Sequence, residues 1–84
     1  MKLWLLKPIK VYPELSEGGP WTPWYDKAFG FVIRAATEKS ARNKAAKDCG
    51  DEGKQAWLDP QLSSCIELTP KGAAGIVLKD YASA

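Results

Sequence analysis

The sequence predicts a small α+β fold: a three- to four-stranded antiparallel or mixed sheet with one alanine-faced helix packed on one side, in the order ββαββ. Three observations carry this reading. Short strand-like runs lie near both ends of the chain, apolar at Leu3–Leu6 and Ile76–Leu78 and alternating at Phe29–Arg34 and Cys65–Leu68. Between them lies one helical pattern, Ala41, Ala45, Ala46 and Cys49, within about 140° of arc at 100° per residue. Glycine and proline mark the boundaries.

The first strand is expected over Lys2–Ile9, with Leu3 and Leu5 on one face, Trp4 and Leu6 on the other, and Pro8 closing it. Both faces are apolar, so either the strand is central and covered on both sides, or its Trp4 face is left for a partner. Residues 10–27 form a long connection rich in Trp, Pro and Gly, with turn signals at Val11-Tyr12-Pro13 and Ser16-Glu17-Gly18-Gly19-Pro20. A connection of that length is either functional or pinned by its own side chains. The second strand, Ala28–Ala35, alternates Phe29, Phe31 and Ile33 against Gly30, Val32 and Arg34. Gly30 leaves a bare spot on which a loop indole could lie.

Thr37 is a helix N-cap and Glu38 an acid in the first turn, where the helix dipole favours it. The helix is expected over Glu38–Cys49 with Gly50 as its stop. Its alanines allow close approach to a sheet. Lys39, Lys44 and Lys47 are spread around the remaining circumference and read as a solvated face, whereas Arg42 falls inside the alanine wedge and should lie along the sheet with its head on a carboxylate or a ligand. Asp59-Pro60 suggests a capped helical turn with proline first, and Trp57 and Leu58 should close over the helix end. A third strand follows at Ser64–Leu68. A fourth is expected at Gly75–Tyr81, whose edge could serve homodimerisation.

Composition narrows the function. The 84 residues make a single domain, 1–84, with room for only a small core, so the nine aromatic rings (four Trp, three Tyr, two Phe) should be largely structural. Net charge is +2, too balanced to announce a nucleic-acid or membrane binder. The distribution is uneven: residues 1–49 carry nine basic and five acidic side chains, residues 50–70 one and four. The opening Met1–Pro8 has a lysine before a short apolar run but lacks the apolar length of a signal peptide, and no stretch suffices for a membrane span. A cytoplasmic protein is expected. With no histidine, the commonest general base and metal ligand are both missing. Cys49 and Cys65 lack metal-site spacing, and Ser63-Ser64-Cys65 has no activating base beside it. No enzyme, metal or cofactor is expected.

Pro20-Trp21-x-Pro23-Trp24-Tyr25-Asp26-Lys27 before Phe29-Gly30-Phe31-Val32-Ile33-Arg34-Ala35, then the alanine-rich helix, Gly50-Asp51-Glu52-Gly53, Trp57-Leu58-Asp59-Pro60 and Ser63-Ser64-Cys65, resembles a group of small proteins from bacteriophages and prophages. The resemblance spans nearly the whole chain and carries no catalytic motif. It implies a phage accessory protein acting in bacterial cytoplasm by binding a host protein. The expected function is occlusion of a host surface, as in an inhibitor of an antiviral complex of the anti-CRISPR kind. The expected contact residues are Trp21, Trp24 and Tyr25 as aromatic anchors, with at least one ring kept in the core. Arg42 and the acids Asp51, Glu52 and Asp59 would set specificity. The alternative is a nucleic-acid or nucleotide binder that uses Lys2, Lys7, Lys10, Lys27, Arg34 and the helix lysines with aromatic stacking.

Overall fold

A computed structural model describes residues 1–9, 20–21 and 26–79. Its elements are β1 (Lys2–Pro8), β2 (Phe31–Ala35), α1 (Glu38–Lys47), α2 (Lys54–Leu58) and β3 (Ser63–Leu68). The three strands form one antiparallel sheet in the order β2-β1-β3. The α+β class and the antiparallel sheet agree with the sequence reading.

The remaining architecture differs in two places. A second helix, α2, precedes Asp59 and was not expected, while the expected turn after Asp59 is present, with Leu62 N and Ser63 N donating to Asp59 O at 3.0 and 3.1 Å. Asp59 ends that helix, and its carboxylate accepts a hydrogen bond from Gln61 N at 2.8 Å. Gly53, at φ 89°, precedes α2 without a side-chain cap, so burial of Ala56 and Trp57 holds this short helix together. The expected fourth strand is not seen over residues 75–79, which run as irregular, exposed chain; residues 80–81 lie outside the described residues. The β-branched and apolar run Ile76–Leu78 suits a strand, but a strand also needs a ladder partner, and neither edge of the sheet provides one here.

β1 is central. Its register places Trp4 opposite Ile33 and Glu67, and Leu6 opposite Phe31 and Cys65. These residues, with Ala35 and Ser63, make the inner face; beneath the helices Leu6, Ala35 and Ser63 are fully buried, while Glu67 at its margin stays exposed. The alanines of α1 let it approach closely: Ala41, Ala45 and Ala46 are all buried. Thr37 Oγ1 accepts from Ser40 N at 3.2 Å, and Glu38 sits in the first turn, as expected. The space left above the alanines is filled by Trp57, which meets Trp21 and Phe31 edge-on at ring-centroid distances of 5.3 and 4.9 Å.

Pro8 fits a central strand for a reason visible in the ladder. Ile9 N donates to Leu62 O at 3.1 Å, so the neighbouring Pro8–Ser63 pair is a non-hydrogen-bonded one. The missing N–H of Pro8 therefore faces the β2 side, where pairing has already ended at Leu6–Phe31. By the same alternation the Ser63 carbonyl points off the free edge of β3.

Candidate binding surface

Two of the residues singled out in sequence, Arg42 and Glu52, are drawn into internal polar knots. Arg42, 7% exposed, lies along the sheet as expected. Its Nε donates to Glu38 Oε2 at 2.9 Å, one terminal nitrogen donates to Trp57 O at 2.8 Å and Ser63 Oγ at 3.0 Å, and the other donates to Ser63 O at 3.0 Å. The planar fork thus ties α1, the end of α2 and the edge of β3 together. Glu52, also buried, is the second knot. Its Oε2 accepts from Trp57 Nε1 at 2.6 Å, and its Oε1 accepts from Gly50 N and Ala28 N at 3.0 and 3.1 Å.

Trp21 is a core residue: its ring is buried and its Nε1 donates to Ala28 O at 2.8 Å. It packs on Trp57 and not on the bare backbone at Gly30, where the nearest atom to a Cβ position is Leu6 O at 3.5 Å. Trp24 and Tyr25 lie outside the described residues. Asp51 is exposed and uses its backbone N–H on Asp26 O at 2.8 Å, while Asp59 caps the turn at Gln61. Asp51 precedes α2 in the chain and Asp59 follows it. Among the described residues no group of three or more His, Cys, Asp or Glu side chains is placed to hold a metal ion, and no helix is long and apolar enough to cross a membrane.

Cys65 lies on the inner face, half-buried. Burial pushes its thiol pKa upward and the Glu38 carboxylate adds to this, while Arg42 opposes both. A thiol held in its neutral form is a poor nucleophile, which fits a packing role.

The opposite face of the sheet is different. Leu3, Leu5, Val32, Ile66 and Leu68 share it by register, Leu5 lying between Val32 and Ile66 in the middle. No helix packs on this side among the described residues. Val32 is 54% exposed and Ile66 58%, whereas Leu5 at 9% is shielded by its neighbours. Where both faces of β1 are apolar, the Leu5 face is thus the open one, and the Trp4 face is covered. At one end, Leu5, Gly30, Phe31 and Val32 form a groove with Leu78 of the C-terminal segment, with Lys7 in its lining and a volume of about 300 Å³. The signal for this face was present in sequence: Lys7 and Arg34, the charged residues nearest the middle of their strands, both fall on the Leu5 parity and mark it as the face toward solvent.

Comparison with protein-family models, with curated proteins and with solved structures gives no match.

Proposed function

We propose that this chain is a non-enzymatic binding protein whose contact surface is the outer face of its sheet. The observation that carries this reading is the cluster Leu3, Leu5, Val32, Ile66 and Leu68, with Val32 and Ile66 more than half exposed, on the side of the sheet where no helix packs among the described residues. A partner packed over these side chains would remove their apolar surface from water. The resemblance to small phage and prophage proteins supports the class of partner: a host protein, in the first place a component of an antiviral defence complex, whose working surface would be occluded. The anchors in this reading are aliphatic and come from the strands. Trp21, Arg42 and Glu52 act behind them, holding the sheet rigid.

The test is affinity capture from bacterial lysate with tagged wild-type protein, Val32→Glu and Ile66→Glu, each with and without nuclease. Val32 and Ile66 are solvent-facing, so both variants should keep the native fold by circular dichroism. One host protein in near-stoichiometric amount, resistant to nuclease and lost with either variant, is the expected result. Capture unchanged in both variants refutes the outer face as the contact surface, and capture that disappears with nuclease transfers the function to nucleic acid. A plaque assay on a host with active CRISPR interference then reads whether the target is a defence complex.

A further inference from the structure

The outer face has a sign and a size, and both constrain what covers it. The charged side chains that the three strands place there are Lys7 and Arg34, both basic, and neither forms an ion pair among the described residues. None of the three strands places a carboxylate on this face, since Glu67 turns to the inner side, where it meets Lys2 at 3.7 Å. Two copies packed through this face would set cations against cations without a neutralising acid, and like charges across an interface are unfavourable. A complementary surface is apolar in the centre and acidic at the edge. The patch spans three strands and about five residues along β1, roughly 200 Å² at ordinary strand spacing and rise. A standard globular interface uses about 800 Å² per partner. A short segment fits this area better than a second domain.

The groove beside Gly30 supplies the anchor position. Gly30 has no side chain to fill it, Leu5, Val32 and Leu78 give it apolar walls, and its volume of about 300 Å³ accommodates one large side chain with room to spare. Lys7 in the same lining gives a cation beside the apolar site.

We propose that this groove takes a large apolar side chain from a short, extended, acidic segment of the partner protein, with Lys7 paired to a carboxylate next to that side chain. The inference rests on the outer face being the contact surface and adds the chemistry of what it binds. Apolar burial supplies the attraction, and the cations select the sign of the flanking residues.

The experiment is an NMR titration of the ¹⁵N-labelled full chain with a short acetylated peptide of alternating leucine and glutamate, and with its leucine–lysine counterpart. The glutamate peptide should shift the amides of Phe29–Val32 and bind about fivefold more tightly than the lysine peptide, the upper range for an exposed ion pair. Lys7→Glu should reverse that preference. Gly30→Leu should fill the groove and remove binding, while the Trp57 indole signal stays in place and reports an intact fold. The proposal is overturned by equal affinity for both peptides, by a preference unchanged in Lys7→Glu, by binding that survives Gly30→Leu, or by phosphatidylserine vesicles binding where the glutamate peptide does not. If the peptides fail but Val32→Glu still loses the captured host protein, the outer face stands as the contact surface and the acidic segment falls.

Discussion

Replacing Arg42 by methionine tests whether the fork at the centre of the fold is structural. Methionine keeps the length and apolar stem of the side chain and removes the four hydrogen bonds of its head. The Ser63 carbonyl, directed off the edge of β3, then loses its donor, and the Trp57 carbonyl keeps only the long contact from Ser63 Oγ at 3.4 Å. An orphaned buried acceptor costs about 1–3 kcal/mol. One full and one partial loss give about 3 kcal/mol, after allowing for relief of the desolvation of the guanidinium. For a domain of this size total stability is on the order of 4–13 kcal/mol, so the change is large. It corresponds to a fall in Tm of about 12–24 °C. Heat and urea unfolding can be followed by the fluorescence of buried Trp21 and Trp57. Glu38→Gln is the control: the Glu38 side chain is half exposed, so losing its charge should cost less than about 1 kcal/mol. A loss below about 1 kcal/mol for Arg42→Met would refute the view that the two carbonyls depend on this side chain.

Three further outcomes follow from the same geometry. Glu52→Gln presents an amide where three N–H groups converge, and one donor must face another; a loss of about 1–3 kcal/mol by urea denaturation is expected, and an unchanged midpoint would show that the knot contributes nothing net. Gly50→Ala would bring a Cβ to 2.4 Å from Asp26 O and 2.9 Å from the Lys27 Cα, both backbone atoms, so about 1–3 kcal/mol of overpacking is expected by thermal melting; a melt identical to wild type would mean the two loops separate freely. Cys65, in a Cys49→Ser background, should react with iodoacetamide more slowly than an unfolded thiol at every pH through the neutral range. Its raised pKa also means that native stability is fully present at neutral pH and falls as pH rises above the ordinary thiol range, because the unfolded chain loses the proton first. Reaction of the native protein at the unfolded rate at pH 7 would contradict the burial of this thiol.

Much of the fold was legible because single residues carried strong local signals. Thr37 and Glu38 start α1, the alanine wedge orients it, and the alternation in β2 sets Phe31 and Ile33 inward; in β3 the same pattern misleads, because Cys65 and Glu67 take the inner face and Ile66 and Leu68 the outer one. Arg42 was identifiable as the one long cation inside an apolar wedge. What escaped were features that arise only in three dimensions. Glu52 reads as one of several loop acids, and it becomes a buried acceptor only when the indole of Trp57 and the Ala28 backbone arrive beside it. α2 has no cap signal, because burial of Trp57 stabilises it. Residues 76–78 have the β-branched, apolar character of a strand, yet local pattern cannot say whether a sheet edge will take them. Trp21 was weighed both as anchor and as core, and the hydrogen bond to Ala28 with the edge-on contact to Trp57 places it in the core.

The outer face also sets a ceiling on how tightly it can bind alone. About 200 Å² of apolar surface on each side, at about 25 cal/mol per Å², contributes roughly 10 kcal/mol before any cost of association. Those costs are about 4–15 kcal/mol, so at most about 6 kcal/mol remains and aliphatic contact through this face alone gives a Kd of about 40 μM at best. Steering by Lys7 and Arg34 raises the association rate more than it deepens the well. A tight complex therefore needs contact beyond the strands, and the segment that continues from Leu78 at the rim of the groove is placed to extend it, with Ile76 at 81% and Val77 at 71% exposure still to be covered. If that extension operates, Ile76→Ser with Val77→Ser should leave the melting temperature unchanged and weaken partner capture about tenfold or more, since about 1.5–3 kcal/mol attaches to each buried aliphatic side chain. Capture unaffected by the double substitution would confine the contact to the strands and predict a weak, rapidly exchanging complex.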